Sequence, residues 1–161
     1  MDVVPSDRSW IPDSNYAAWQ FSENEVSISE TVLGRGAFGE VRVARWRNID
    51  VAAKRLHALE GLDAARVDDS FIQEMKLLAT LRHPNLVLFL GVCFNEKTRL
   101  PTTILTELMP SSLYTIIEEM KVKLSLPDIL DIAIDVATGI DYLHCHSPPV
   151  SFRQMRVMIR S

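Results

Sequence analysis

The stretch LGRGAFGEV, Leu33 to Val41, restricts the fold of this chain more than any other. Gly34, Gly36 and Gly39 follow the spacing G-x-G-x-x-G, and what flanks them decides between folds. Upstream, EVSISETVL alternates apolar and polar residues. Downstream, EVRVARW puts Val41 and Val43 on one face and Glu40 and Arg42 on the other. Period two on both sides predicts two strands joined by a glycine-rich turn. A dinucleotide-binding loop of the same spacing needs a helix after its glycines, so that reading fails on context. Without Cβ atoms, the glycine backbone can lie close over phosphate groups. An ordinary glycine-rich turn would look the same if the loop stood alone.

The turn RNID and the segment VAAKRL (Val51 to Leu56) extend the pattern to a three-stranded antiparallel meander. Between Asp63 and Leu81 the period becomes helical: Val67, Phe71, Met75 and Leu78 recur every three or four residues. HPN, His83 to Asn85, stops that helix, because proline disfavours helix in the residue before it. LVLFLGVCF and TTILTEL then read as two buried strands. A short helix is predicted over about 113–120. A long one follows over about 126–144, with Ser125 as N-cap and Pro127 and Asp128 in its first turn. That long helix is apolar around most of its circumference and therefore expects burial on several sides. Left exposed, it predicts poor solubility or another protein covering that face.

Bulk properties exclude several classes. The 161 residues fit one domain and a short tail, and 47% hydrophobic content is enough for a core. A net charge of −4 offers no general attraction for nucleic acid or an anionic membrane. The longest apolar run, Leu86 to Phe94, is far short of the ~20 residues a membrane helix needs. Cys93 and Cys145 read as reduced thiols, which predicts a soluble cytoplasmic or nuclear protein. Residues 1 to about 20 read as a flexible lead-in, with Trp10 or Trp19 docking on the domain. HCHS lacks metal-site spacing around it, and His57 and His83 are lone histidines.

Val51-Ala52-Ala53-Lys54 matches a V-A-x-K strand, with its lysine on the third strand. Twenty residues on, Glu74 falls in the predicted helix. With the glycine hairpin, this set resembles the small lobe of a protein kinase. RWRNIDVAAKRL and HPNLVLFLGVC look most like the tyrosine-kinase-like group, whose members mostly phosphorylate serine and threonine. The resemblance implies an α+β fold: a five-stranded antiparallel sheet plus one helix, then the first helices of an incomplete α-helical large lobe. Its divisions would be a flexible segment 1–22, the small lobe 23–107, the hinge and first helices 108–148, and a departing tail 149–161.

The same resemblance implies ATP as the ligand. Leu33, Gly34, Arg35, Gly36, Ala37, Phe38, Gly39 and Val41 would form the phosphate loop and part of the pocket roof, with Ala52 completing the roof. Phe38 would cap the phosphates. Lys54 would meet the α- and β-phosphates, held in place by an ion pair with Glu74. Thr106 falls at the small gatekeeper position, and Glu107 and Met109 would offer backbone groups to the adenine edge.

Beyond Val150 the resemblance lapses. Aligned without gaps, Phe152-Arg153-Gln154 occupies the family's His-Arg-Asp slot, and Ile159 its metal-binding Asn slot. Gln154 is neutral, Ile159 cannot hold magnesium, and no Asp-Phe-Gly appears. Either the catalytic loop decayed in place or the chain leaves the family's sequence after Val150. SFRQMRVMIRS lacks the family's next strand pattern, which favours the second. The expectation is thus a kinase family member that holds ATP, with magnesium expected by family but its protein ligands missing here. It would be a fragment lacking the transfer half or, alternatively, a non-catalytic pseudokinase or short isoform that binds nucleotide or a partner.

Overall fold

A computed structural model describes residues 19–36, 39–56, 69–96 and 101–145. Its strands are β1 (Gln20–Ser22), β2 (Val26–Gly36), β3 (Gly39–Trp46), β4 (Ile49–Leu56), β5 (Phe89–Phe94) and β6 (Pro101–Glu107). Its helices are α1 (Asp69–Thr80) and α2 (Leu126–Cys145), with a π-helical turn at Thr115–Glu119. The strands make one sheet in the order β1-β5-β6-β4-β3-β2.

This corrects the expected five-stranded antiparallel sheet. There are six strands, and the added one, β1, pairs parallel to β5 with Gln20 opposite Val92 and Ser22 opposite Phe94. It arises inside the expected lead-in. Three residues are too few to show a period, and their partner strand lies far along the chain. Trp19 docks as expected, its ring edge-on to Phe89 at 5.5 Å. Trp10, His57, His146 and the tail 149–161 lie outside the described residues.

The β3–β4 connection is a two-residue hairpin closed by the Trp46–Ile49 pair. Arg47 and Asn48 take φ values of 46° and 66°, the left-handed turn that matches the twist of the flanking strands. Asparagine tolerates this conformation well. Arg47 is additionally held over the rings of Trp46 and Phe21, at 4.8 and 5.3 Å, and reaches Glu25 at 3.7 Å.

Alternation along the strands divides the core in two. On one face Phe21, Ala44, Val51, Ala53, Cys93 and Leu105 pack together. On the other, Phe89, Val92 and Ile104 pack under Met75 and Leu78 of α1, joined by Leu143 of α2. The sheet curls strongly: Phe21 on the edge strand β1 meets Trp46 at the end of β3, with ring centroids 4.6 Å apart.

Cys93 is buried, and desolvation, aided by Glu23 and Glu25, pushes its thiol up from 9.0 to about 12. Cys145 is exposed. At pH 8 a maleimide should label Cys145 quickly and Cys93 only as fast as the protein opens; equal rates at both thiols would refute the burial. Above pH 9 the unfolded thiol releases a proton that the folded one keeps, so this contribution to stability is whole below 9.0 and declines towards about 12. Urea midpoints measured at pH 8 and pH 10.5 should therefore fall in that order.

The long helix starts where expected. Ser125 donates its backbone N–H and its hydroxyl to the Asp128 carboxylate at 2.9 and 2.6 Å, and Asp128 returns its N–H to Ser125 Oγ at 3.4 Å. These bonds, the hydroxyl's first, hold the Asp128 carboxyl below its usual range. Near its C-terminal end α2 meets the HPN segment. Tyr142 stacks on His83 at 4.9 Å and accepts the Arg82 N–H at 3.1 Å. Gly139 lies against Asn85 and Leu86. The opposite side of α2 is open among the described residues: Leu126, Ile129, Leu130 and Ile134 are exposed, where the sequence pattern expected burial. A groove of about 400 Å³ runs beside it, lined by Leu113, Ile117, Val122, Leu124, Ile129 and Ile132.

Candidate functional site

The register of three strands assembles the site. Val41 on β3 sits opposite Lys54 on β4, and Val43 opposite Ala52. Ala52 in turn faces Thr106 on β6, and Lys54 faces Ile104. Val51, Ala53 and Leu105 belong to the other core, so alternation puts Val41, Val43, Ala52, Lys54, Ile104 and Thr106 on one face. Ile104 on this face is buried in the α1 cluster. Of these six residues, all but Lys54 and Thr106 are apolar.

The glycine hairpin continues β2 and β3 from this face. Gly34 pairs with Val41, Arg35 with Glu40 and Gly36 with Gly39, so the hairpin stays in register to its last described pair. A Cβ at Gly34 would meet nothing within 4 Å, so crowding inside the protein does not demand glycine there. Leu33 lies at a break in β2 register between Val32 and Gly34 and is 48% exposed. Arg35 reaches Glu40 at 3.6 Å, and Glu40 also pairs with Arg42. Glu40 and Glu30 raise the already high pKa of Arg42, chiefly through side-chain hydrogen bonds. The hairpin is thus braced on both strands by one half-buried carboxylate. Ala37 and Phe38 at the tip lie outside the described residues.

At the far edge of the face, Glu107 closes β6. It donates its N–H to the Leu88 carbonyl at 3.0 Å and accepts the Leu88 N–H on its carboxylate at 2.7 Å. Its carbonyl accepts from Thr106 Oγ1 at 3.3 Å, which leaves a second lone pair available to another donor. At Glu107 itself the backbone N–H is committed to Leu88, whereas the carbonyl can accept a further donor. Met109 follows two residues later, half-buried.

Glu74 lies in α1, directly before the buried Met75 that seats the helix on the sheet. Its side chain, like Gln154 and the residues around it, lies outside the described residues. Among the described residues no three His, Cys, Asp or Glu side chains gather as metal ligands, and no helix is long and apolar enough to cross a membrane.

The sequence reading missed what stands behind Thr106. Phe89 is its cross-strand partner, and Trp19 packs on Phe89. It also missed Leu88, which binds both polar ends of Glu107. No local signal marks either residue, because each acts through a partner distant in sequence.

Comparison with known proteins accords with this geometry. Residues 28–148 match the family described as protein tyrosine and serine/threonine kinase. The chain is 37% identical over 141 residues to the probable serine/threonine-protein kinase drkC of Dictyostelium discoideum, covering 84% of this chain and 18% of that protein. It is 35% identical over 133 residues to the human serine/threonine-protein kinase TNNI3K, covering 82% of this chain and 15% of that one. To the dual specificity protein kinase shkA of Dictyostelium discoideum it is 36% identical over 137 residues, covering 85% and 25%. The chain thus spans a quarter or less of these relatives' length. The matched stretch contains the glycine hairpin, Lys54, Glu74 and Thr106, on a sheet whose register brings the lysine and the threonine to one face. The chain belongs to the protein tyrosine and serine/threonine kinase family.

Proposed function

We propose that this chain binds ATP on the face shared by Val41, Ala52, Lys54 and Thr106. The observation that supports the reading is the pair of register contacts, Val41 to Lys54 and Ala52 to Thr106, which bring a lysine, a threonine and apolar residues to one face of the sheet that carries the glycine hairpin. Adenine would lie against Leu33, Val41 and Ala52, with Thr106 at the back and backbone groups of Glu107 and Met109 at its edge. Lys54 would supply a point charge to the phosphates, and Glu74 would hold that lysine in place. The backbone of Gly34 to Gly39, with Phe38 at the tip, would close over the phosphates. Magnesium would arrive on the phosphate oxygens of the nucleotide.

Phosphorylation of protein serine or threonine is the activity proposed for the whole protein. It needs a group that accepts the proton of the substrate hydroxyl, and Gln154, in the aligned slot, cannot do so. A second reading for the 161 residues taken alone is nucleotide binding without transfer. A cytoplasmic or nuclear setting suits both readings, since it supplies ATP and keeps thiols such as Cys93 and Cys145 reduced.

Thermal unfolding with and without millimolar Mg-ATP tests the site. Saturating nucleotide should raise Tm by several degrees, as expected when ligand is ~100-fold above Kd. Lys54→Met should cancel most of the rise without lowering Tm in its absence. No shift in the unaltered chain would sink the proposal. Transfer is tested separately, with radiolabelled ATP and a generic protein substrate; incorporation by the 161-residue chain would overturn the binding-only reading.

A further inference from the structure

We propose that Ser22 is a phosphorylation site whose modification releases the β1 strap from the sheet. The strap, Trp19 to Glu25, is held by two rings and a compact polar clasp. Trp19 lies on Phe89, and Phe21 lies on Trp46. The clasp centres on Ser22 and Glu96: Ser22 Oγ donates to Glu96 Oε1 at 2.7 Å, and Asn24 Nδ2 donates to the same oxygen at 2.9 Å. Ser22 also gives its backbone N–H to Glu25 Oε1 at 3.0 Å, while its Oγ accepts the Asn24 N–H at 3.3 Å. Asn95 ties Glu23 alongside at 3.1 Å.

The Ser22–Glu96 bond therefore exists only while Ser22 can donate. Its hydroxyl proton points to a carboxylate, and the described groups around it are three carboxylates, Glu23, Glu25 and Glu96, against one guanidinium. That guanidinium, Arg47, is already engaged with Glu25 and the rings of Trp46 and Phe21. A phosphoserine carries about −1.5 to −2 charges and only acceptor oxygens at its dianionic limit. It would lose the bond to Glu96 and face like charge at hydrogen-bond range. β1 registers only three residues on β5, so the repulsion works against two ring contacts and a short ladder.

The sequence around the site, Ser22-Glu23-Asn24-Glu25, suits a modifying serine kinase that selects acidic residues after its target. In the step itself, Ser22 Oγ attacks the γ-phosphorus of ATP. The bond from that phosphorus to the β,γ-bridging oxygen breaks, ADP leaves, and the hydroxyl proton passes to the modifying enzyme's base. The strap detaches transiently to enter that enzyme, and the phosphate prevents it from redocking. Released, Trp19 leaves Phe89, the residue paired with Thr106, so the strap backs the candidate site from behind.

The test is hydrogen exchange on the 161-residue chain carrying genetically encoded phosphoserine at position 22. Exchange at Gln20–Ser22 should rise at least tenfold, with Ala44 and Val51 in the sheet centre unchanged as the control for folding. Glu96→Gln in the phosphorylated chain should restore part of the protection, whereas Ser22→Ala should change it only slightly. Unchanged or increased protection in the phosphorylated chain, the latter meaning capture by Arg47, would overturn the proposal. A second arm incubates the chain with Mg-ATP and an acid-directed serine kinase and maps phosphate by mass spectrometry. Phosphate on Ser22 supports the assignment, and its absence there overturns it. Neither arm depends on the chain binding ATP itself.

Discussion

Replacing Ile104 with alanine is expected to remove about 3 kcal/mol of stability and to lower Tm by about 10 °C. Ile104 is fully buried at the centre of β6, flanked by Lys54 on β4 and Val92 on β5. It packs in the cluster where α1 contributes Met75 and Leu78 and α2 contributes Leu143. Truncation deletes three carbons from a place where sheet and both helices meet. The strands on either side are fixed by their ladders, so the cavity cannot close easily and the cavity penalty adds to the lost transfer energy. The loss should also reach the site, because the same residue faces Lys54 across the ladder. Urea unfolding with a shared m-value would measure it. A change below about 1 kcal/mol would mean that sheet and helices do not share this core.

The second large effect is expected at Gly91. A Cβ there would stand 2.2 Å from Phe21 Cε2 and 2.5 Å from the Trp19 carbonyl oxygen. The ring could swing aside, but the carbonyl belongs to backbone and cannot. Gly91→Val should therefore expel the strap rather than strain it. The cost would be the burial of Trp19 and Phe21 together, about 3 kcal/mol after partial relaxation. Tryptophan emission should shift to the red as Trp19 and Trp46 meet water. A double-mutant cycle makes the test specific. In a chain already carrying Phe21→Ala, Gly91→Val should cost clearly less than it does alone, since much of what it displaces is gone. Full additivity would show that the valine acts elsewhere.

Much of this fold was legible along the chain. Period two around the glycines marked β2 and β3, and Arg47-Asn48 sat where a tight turn was due. Ser125 and Asp128 announced the start of α2, whereas its apolar excess called for burial that Leu130 and Ile134 do not find among the described residues. The strand β1 was not legible. Its polar anchor, the Ser22–Glu96 bond, joins residues 74 positions apart, and nothing near Ser22 signals that partner. Gly91 likewise passed for an ordinary strand residue until the strap above it was in place.

For the candidate site the division is similar. Residue types and spacing singled out Gly34, Gly36, Gly39, Lys54 and Thr106, because phosphate contact calls for bare backbone and a mobile cation. They did not reveal that the Glu107 amide is already committed to Leu88, or that Phe89 and Trp19 stand behind Thr106.

The sequence by itself determined the elements and the chemistry they carry, since strand period, turn conformation and helix caps act between residues a few positions apart. Only the tertiary structure decided the register that sets Val41 beside Lys54 and Ala52 beside Thr106, and the docking of β1 on β5. Those choices turn on which faces are buried when distant segments meet. The free energy that selects them is the joint burial of Met75, Val92, Ile104 and Leu143, which no single segment can supply alone.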